Sequence, residues 1–335
     1  MIAAMSAALS SAMSPPVRLL VAHSEPGAGR AWRDALAERL PEARIAIDPA
    51  TPDGAGPDGA PPGFEADWAV GWGPPADLFA RQPRLRGFFS SGAGVDHLLR
   101  HPGLPAALPL IRLEDAGMAE LMADYCLLEL LRIAGRHDAY ATQQARAHWA
   151  ELTGYTRAEL PVGIVGVGVL GAHVAQHLSR AGFTVRGFAR GPKRVDGVEV
   201  MHGASRWQAF LEATRVLILL APRTAETENL IDAAALARLR PGGWLINVAR
   251  GALVVDADLV AALDAGTLAG ATLDVFRQEP LPASHPFWHH PRIRVTPHSS
   301  APTQVAVSAE QVAAKLAALV RGETVGGLVD RSRGY

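Results

Sequence analysis

Short apolar runs alternate along most of the chain with segments whose apolar positions recur every three to four residues. The first pattern marks buried strands and the second amphipathic helices. Residues 17–24, 43–48, 67–72 and 85–92 read as strands, with another, LPLIRL, near residue 110. A helix is expected over 29–40. Residues 49–63, dense in Pro, Gly and Asp, read as a loop. A long helical pattern runs from 118 to 148 through Leu121, Tyr125, Leu128, Leu131 and Ile133. Cys126, among its apolar positions, reads as a buried packing residue. A second series begins at Pro161, with strands over 162–168, 184–189, 215–221, 243–249, 270–276 and 292–297 and a closing helix over 304–322. Alternating strands and helices predict α/β layers.

The 335 residues suggest about two domains. A composition 49% hydrophobic and 19% charged supports large cores and excludes global disorder. A net charge of −1 leaves no electrostatic case for nucleic acid or membrane as the main partner. A single cysteine excludes an internal disulfide framework and a multi-cysteine zinc site, and fits a reducing cytoplasm. No apolar run approaches the ~20 residues of a bilayer-spanning helix. Residues 1–14 make a poor signal peptide and read as a disordered extension, with Met5 and Met13 as alternative starts to Met1. Only Lys193 and Lys315 among the 32 basic residues are lysines, a scarcity that nucleotide bias explains.

Gly166, Gly168 and Gly171 form GxGxxG between the strand over 162–165 and the helical stretch 172–181. In that context the first glycine makes the tight turn, the second lets the backbone approach a pyrophosphate, and the third lets helix pack on strand. Val169 and Leu170 complete this loop at the helix N-terminus, which favours an anion. The reading is dinucleotide binding; the alternative is a tight turn without a ligand. The next strand ends at Ala189, where an NAD enzyme usually carries Asp or Glu. Arg190 stands there, followed by Lys193 and Arg194, with no carboxylate before Asp196. Cations favour a 2′-phosphate, so the reading is NADP(H) over NAD(H), against the alternative of a solvated basic loop.

Three further apolar runs end in polar groups: Arg250 follows LINVA, Glu279 follows LDVF, and His298 follows VTP. In a doubly wound sheet such carboxyl ends gather at one crevice. Arginine can hold a keto acid bidentately. Histidine can protonate a carbonyl oxygen, and a nearby carboxylate stabilises its imidazolium.

The order GxGxxG, NVARG, DVFxxEP and TPH resembles the D-isomer-specific 2-hydroxyacid dehydrogenases. Within them the chain is most similar to the glyoxylate/hydroxypyruvate reductase A group. The resemblance covers nearly all of residues 65–335, including GAGVDHLL, GYTRAEL, LDVFRQEPLP and the tail VDRSRGY. It implies that His298 protonates the substrate, Glu279 holds His298, and Arg250 clamps the carboxylate and carbonyl. It implies that backbone N–H groups at Ala93, Gly94 and Val95 bind the carboxylate. Asp274 would contact the nicotinamide carboxamide, and Ala221, Pro222 and Arg223 would line the cofactor. Trp288 reads as pocket lining, and Trp149 as a substrate gate or an ordinary packing aromatic. Asp96 reads as a cap on a helix starting at His97, and His289 and His290 as surface residues with no metal. TPHSSAPT and GWGPP depart from the family pattern and leave the substrate open.

The expected fold is therefore α/β, with two doubly wound parallel-sheet domains, Rossmann- or flavodoxin-like, and an active-site cleft between them. Residues 15–115 would form the substrate domain, 116–298 the NADP-binding domain, and 299–335 a segment returning to the first. The expected reaction is NADPH-dependent reduction of a short 2-keto acid, glyoxylate or hydroxypyruvate, in the cytoplasm; the resemblance implies a homodimer joined through the 118–148 helix and its following loop. An NAD-dependent relative with another substrate, or a non-catalytic cofactor-sensing module, stays open.

Overall fold

The computed structural model describes residues 16–335; the expectations for residues 1–14 and for the alternative starts lie outside the described residues. The chain divides into two compact units. One comprises the described residues up to Gly117 with Thr303–Tyr335, and the other is Met118–Pro302.

In chain order the first unit contains β1 (Arg18–His23), α1 (Ala28–Arg39), β2 (Arg44–Ile47), β3 (Trp68–Trp72), α2 (Leu78–Arg81), β4 (Gly87–Ser90), α3 (Asp96–Leu99) and β5 (Leu110–Ile111). The five strands form a parallel sheet in the order β2-β1-β3-β4-β5. This is the flavodoxin-like winding, with its switch between β1 and β3. Leu19, Leu20, Val21 and Ala22 are buried, so β1 is apolar on both faces, as a central parallel strand covered on both sides must be. β5 is only two residues long. The C-terminal tail covers its outer edge, through Val329 N–H to Leu110 O (2.9 Å) and Arg112 N–H to Gly327 O (2.9 Å). The Pro- and Gly-rich loop after β2 is pinned at two carboxylates. Buried Asp48 takes a bidentate pair from Arg81, and Asp53 accepts the Gly27 and Arg30 N–H groups at the start of α1. Those bonds hold the Asp53 carboxyl below its ordinary range, the Gly27 N–H foremost, against the opposing effect of burial.

The second unit contains α4 (Met118–Ala134), α5 (His137–Ala145), β6 (Val162–Val165), α6 (Val169–Arg180), β7 (Val185–Ala189), β8 (Glu199–His202), α7 (Ala204–Glu212), β9 (Val216–Leu219), α8 (Ala233–Ala237), β10 (Gly243–Asn247), α9 (Asp256–Asp264), β11 (Leu268–Leu273) and β12 (Ile293–Val295); α10 (Val305–Val320) follows in the first unit. Its seven strands run parallel in the order β12-β11-β10-β9-β6-β7-β8. Counted from β6 this is the dinucleotide-fold order 3-2-1-4-5-6, extended by one strand, with the switch between β6 and β9. Alternate strand residues feed two apolar clusters. Val216 and Ile218 join Met122, Cys126, Val174 and Leu178; Leu217 and Leu219 join Leu236, Leu253, Leu259 and Phe287.

Three sequence expectations need correction. The single helix over 118–148 is broken at Gly135 and Arg136, where Arg136 turns left-handed (φ +55°) and the chain restarts as α5. β8 was not anticipated, because none of its four residues is fully buried and its pattern carries no apolar run. Asp96 lies inside the first turn of α3 rather than ahead of it, and accepts Arg100 Nη2 at 2.9 Å.

Candidate active site

Because every strand of the second unit is parallel, the chain leaves the sheet at one edge after β6, β9, β10, β11 and β12. That edge collects the motifs read from the sequence.

After β6, Gly166 adopts φ +98°, and a Cβ there would lie 2.3 Å from the Ala221 nitrogen. Only glycine permits this turn beside buried Ala221. A Cβ on Gly171 would lie 2.0 Å from the Gly166 carbonyl oxygen, so the third glycine brings α6 onto the turn. Gly168 differs, since a Cβ there would meet nothing within 4 Å. The middle glycine thus faces open space at the N-terminus of α6, which has no side-chain cap. Val169 beside it is largely exposed and Leu170 is half-buried. A bare backbone turn, open space and an uncapped helix start fit a pyrophosphate. Arg190, Lys193 and Arg194 are all exposed in the loop after β7. Pro222 is exposed after β9, while Arg223 is paired with Glu228 at 2.9 Å.

After β10, buried Asn247 fixes the turn that carries Arg250. Its Oδ1 accepts the Ala249 N–H (3.1 Å) and its Nδ2 donates to Arg250 O (3.0 Å). The next residue, Gly251, touches the loop beyond β11, and a Cβ there would lie 2.0 Å from the Phe276 carbonyl carbon. This close approach brings the Arg250 and Glu279 loops together. Arg277 ties the same loop to Asn229 Oδ1 and Val254 O.

Glu279 and His298 form the centre of the site. His298 Nδ1 lies 2.7 Å from Glu279 Oε2, and Glu279 Oε1 accepts the Phe276 N–H at 2.8 Å. Burial alone would raise the Glu279 carboxyl, but the bonds from His298 and Phe276 and the charges of His298 and Arg250 outweigh it and hold it below its ordinary value. An ionised carboxylate only accepts, so Nδ1 carries the proton in this pair and Nε2 is left to exchange one with a substrate. The two side chains keep 35% and 44% of their surface accessible, enough for a small molecule to reach the ring.

The backbone around His298 is held against strain. Its φ is +52°, a left-handed conformation costly for a residue with a side chain. Asp274, directly after β11 and fully buried, over-determines that turn. Its carbonyl accepts the His298 N–H (2.8 Å). Its Oδ1 accepts Thr296 Oγ1–H (2.6 Å) and Ser299 N–H (2.8 Å), and its Oδ2 accepts Ser300 N–H (2.9 Å). Thr296 also meets the Tyr125 hydroxyl at 2.7 Å. These bonds keep Ser299 and Ser300 with the second unit. Asn247 and Gly251 lie in the NVARG motif and Thr296 in TPH, but the motifs singled out only Arg250 and His298; the supporting roles of the other three show only in the fold.

Other expected positions fall elsewhere. Ala93 and Gly94 are half-buried and Val95 is buried, in the turn between β4 and α3 of the first unit, where Ser90 Oγ–H donates to Gly94 O (3.2 Å). Trp288 is partly exposed in a short turn after β11, its Nε1–H bonded to Pro282 O at 3.0 Å. Trp149 is 99% exposed, so it does not pack within the chain. His289 is exposed, but His290 is largely covered beside Asp264 (3.3 Å). Cys126 is buried, which pushes its thiol up.

Residues 127–300 match the NAD-binding domain of D-isomer specific 2-hydroxyacid dehydrogenases. The chain is 44% identical over 310 residues, 91% of its length and 96% of the relative's, to glyoxylate/hydroxypyruvate reductase A of Serratia proteamaculans. Its structure resembles a D-isomer specific 2-hydroxyacid dehydrogenase from Xanthobacter autotrophicus Py2, solved with NADPH and MES, at TM-score 0.89 and 37% identity, covering 96% of this chain and all of that one. It also resembles an NADPH-dependent glyoxylate/hydroxypyruvate reductase from Sinorhizobium meliloti, solved with NADP and sulfate, at TM-score 0.87 and 35% identity, covering 95% of this chain and all of that one. With its motifs gathered at one sheet edge and relatives matching over nearly its full length, the chain belongs to the D-isomer-specific 2-hydroxyacid dehydrogenase family of oxidoreductases.

Proposed function

We propose that the protein reduces short 2-keto acids, glyoxylate to glycolate and hydroxypyruvate to glycerate, with NADPH in preference to NADH. The 2.7 Å pairing of His298 with an ionised Glu279, beside the Arg250 loop, carries the proposal, and the named relatives supply the substrate class.

Gly166, Gly168, Val169, Leu170 and Gly171 would hold the pyrophosphate, Arg190, Lys193 and Arg194 the 2′-phosphate, and Ala221, Pro222 and Asp274 the nicotinamide half. When bound, the nicotinamide supplies the hydride. Arg250 orients the keto acid through its carboxylate and carbonyl, with the Ala93, Gly94 and Val95 N–H groups and Trp288 assigned to the same substrate. His298 donates its Nε2 proton to the carbonyl oxygen as that oxygen gains charge, and Glu279 stabilises the imidazolium beforehand. Orientation and proton donation together make the carbonyl carbon the acceptor.

The unit Met118–Pro302 would serve as the cofactor domain, and the described residues up to Gly117 with the returning segment Thr303–Tyr335 as the substrate domain, a return that begins a few residues later than the expected 299. We also propose a cytoplasmic homodimer, supported by exposed apolar residues on α4 and after α5. Among the described residues no helix is long and apolar enough to cross a membrane.

The test is NADPH and NADH oxidation with a panel of 2-keto acids. Glyoxylate and hydroxypyruvate should be reduced, faster with NADPH. His298→Ala should lower kcat/KM by about 10²-fold or more while NADPH still binds. If the parent chain and His298→Ala both bound NADPH and neither turned over, a cofactor-sensing module would replace the enzyme reading.

A further inference from the structure

Outside the residues assigned to the reaction, α4 and α6 share a cluster of nitrogen and oxygen donors. His173 and His177 stand four residues apart on α6 and so share one face. Glu120 and Asp124 do the same on α4. The helices pack through buried Met122, Ala123, Cys126, Val174, Ala175 and Leu178, which fixes the backbones beneath the four polar groups. His173 Nε2 lies 2.7 Å from Glu120 Oε2, and His177 Nδ1 lies 3.8 Å from Glu120 Oε1. His177 Nε2 lies 4.0 Å from Asp124 Oδ1. One donor atom each from Glu120, His173 and His177 falls within 4.8 Å of the others, and no other such group of three occurs among the described residues.

We propose that Glu120, His173 and His177 bind a divalent transition-metal ion of the zinc class, with water completing the shell. Bond lengths of about 2.0–2.2 Å to nitrogen and oxygen put tetrahedral ligand atoms roughly 3.3 Å apart. One donor atom from each side chain lies within 4.8 Å of the other two, so the site closes by rotation of the three side chains. Two imidazoles select Zn²⁺, Ni²⁺ or Cu²⁺ over Mg²⁺ and Ca²⁺, which favour all-oxygen shells. The donors stand at the surface rim of the helix seam, where His173 and Glu120 keep 33% and 63% of their side-chain surface and leave an entry path. A bound ion bridges the first turn of α4 to the middle of α6. It therefore fastens the helix that follows the glycine turn, and it stabilises the fold by mass action.

The experiment titrates ZnCl₂ into the full-length protein, freed of any affinity tag and dialysed from EDTA, by calorimetry, with thermal midpoints read alongside. One Zn²⁺ per chain is expected, with a raised midpoint. His173→Ala and His177→Ala should each weaken binding about tenfold or more and lose the midpoint shift. Both should melt like the parent in EDTA, showing that the fold survives. MgCl₂ should neither bind nor shift the midpoint. Equal zinc binding in the parent and both histidine variants would place the ion elsewhere and overturn the proposal. Absence of binding would reduce the cluster to an ion pair, and equal binding of Mg²⁺ would overturn the nitrogen-donor assignment.

Discussion

At the scale of single residues, the site rests on one carboxylate that stays ionised although half-covered. Burial acts first on Glu279 and acts to protonate it; the bonds from His298 Nδ1–H and Phe276 N–H, with Arg250 nearby, reverse the balance. A carboxyl whose value is lower folded than unfolded adds stability above the ordinary Glu value of about 4.3, and loses it as pH falls through the lowered folded value. Glu279→Gln keeps the shape and removes the charge. The parent chain should melt above this variant at pH 5 to 7, and the gap should close steadily towards pH 3. A gap that stayed constant with pH would show that the carboxylate is not held ionised by the fold. His298 itself was legible in the sequence from its spacing to Glu279. Its left-handed backbone was not, because that conformation is imposed by Asp274 from another strand end.

At the scale of elements, the loops that carry Arg250 and Glu279 stay together because Gly251 has no side chain. A Cβ there would overlap the Phe276 carbonyl carbon at 2.0 Å, backbone against backbone, with no flexible group to yield. Gly251→Ala should therefore push the loop after β11 away from the turn after β10 and separate Arg250 from Glu279. We expect a stability loss of about 1–3 kcal/mol. We also expect a fall in kcat/KM with NADPH affinity nearly unchanged, since the glycine turn after β6 is untouched. A variant with unaltered turnover would show that the loops keep their places without this contact. Most strands were legible to within one to three residues, because parallel strands buried on both faces read as continuous apolar runs. The exceptions share a cause. β8 has no fully buried residue and gave no run, and α5, which restarts after Gly135–Arg136, has none either, so no apolar period marks where it begins. Periodicity reports which faces are buried and is blind to segments that bury none.

At the scale of the whole molecule, composition and net charge give no electrostatic case for a polyanionic partner and cannot say which apolar surface stays open. The structure shows it. Leu128 and Leu131 on α4, Tyr140 on α5 and Trp149 beyond it are all exposed within 22 residues, and Trp149 is 99% exposed. Single exposed apolar residues are ordinary, but four large ones within one segment, two of them three residues apart on α4, are the exposed apolar surface we propose a partner covers. The proposed occupant is a second copy of the same chain. A two-fold interface uses the same patch twice, so each substitution there counts twice. Leu128→Glu with Leu131→Glu alters only exposed positions and should cost the single chain within about 0.5 kcal/mol per site. Across a two-fold interface the same change would bury four like charges. Sedimentation should therefore give a dimer for the parent chain and a folded monomer for the double variant, whose melting temperature no longer rises with protein concentration. A parent chain that sediments as a monomer at tens of micromolar would remove the homodimer, and a double variant that stays dimeric would move the interface off this face.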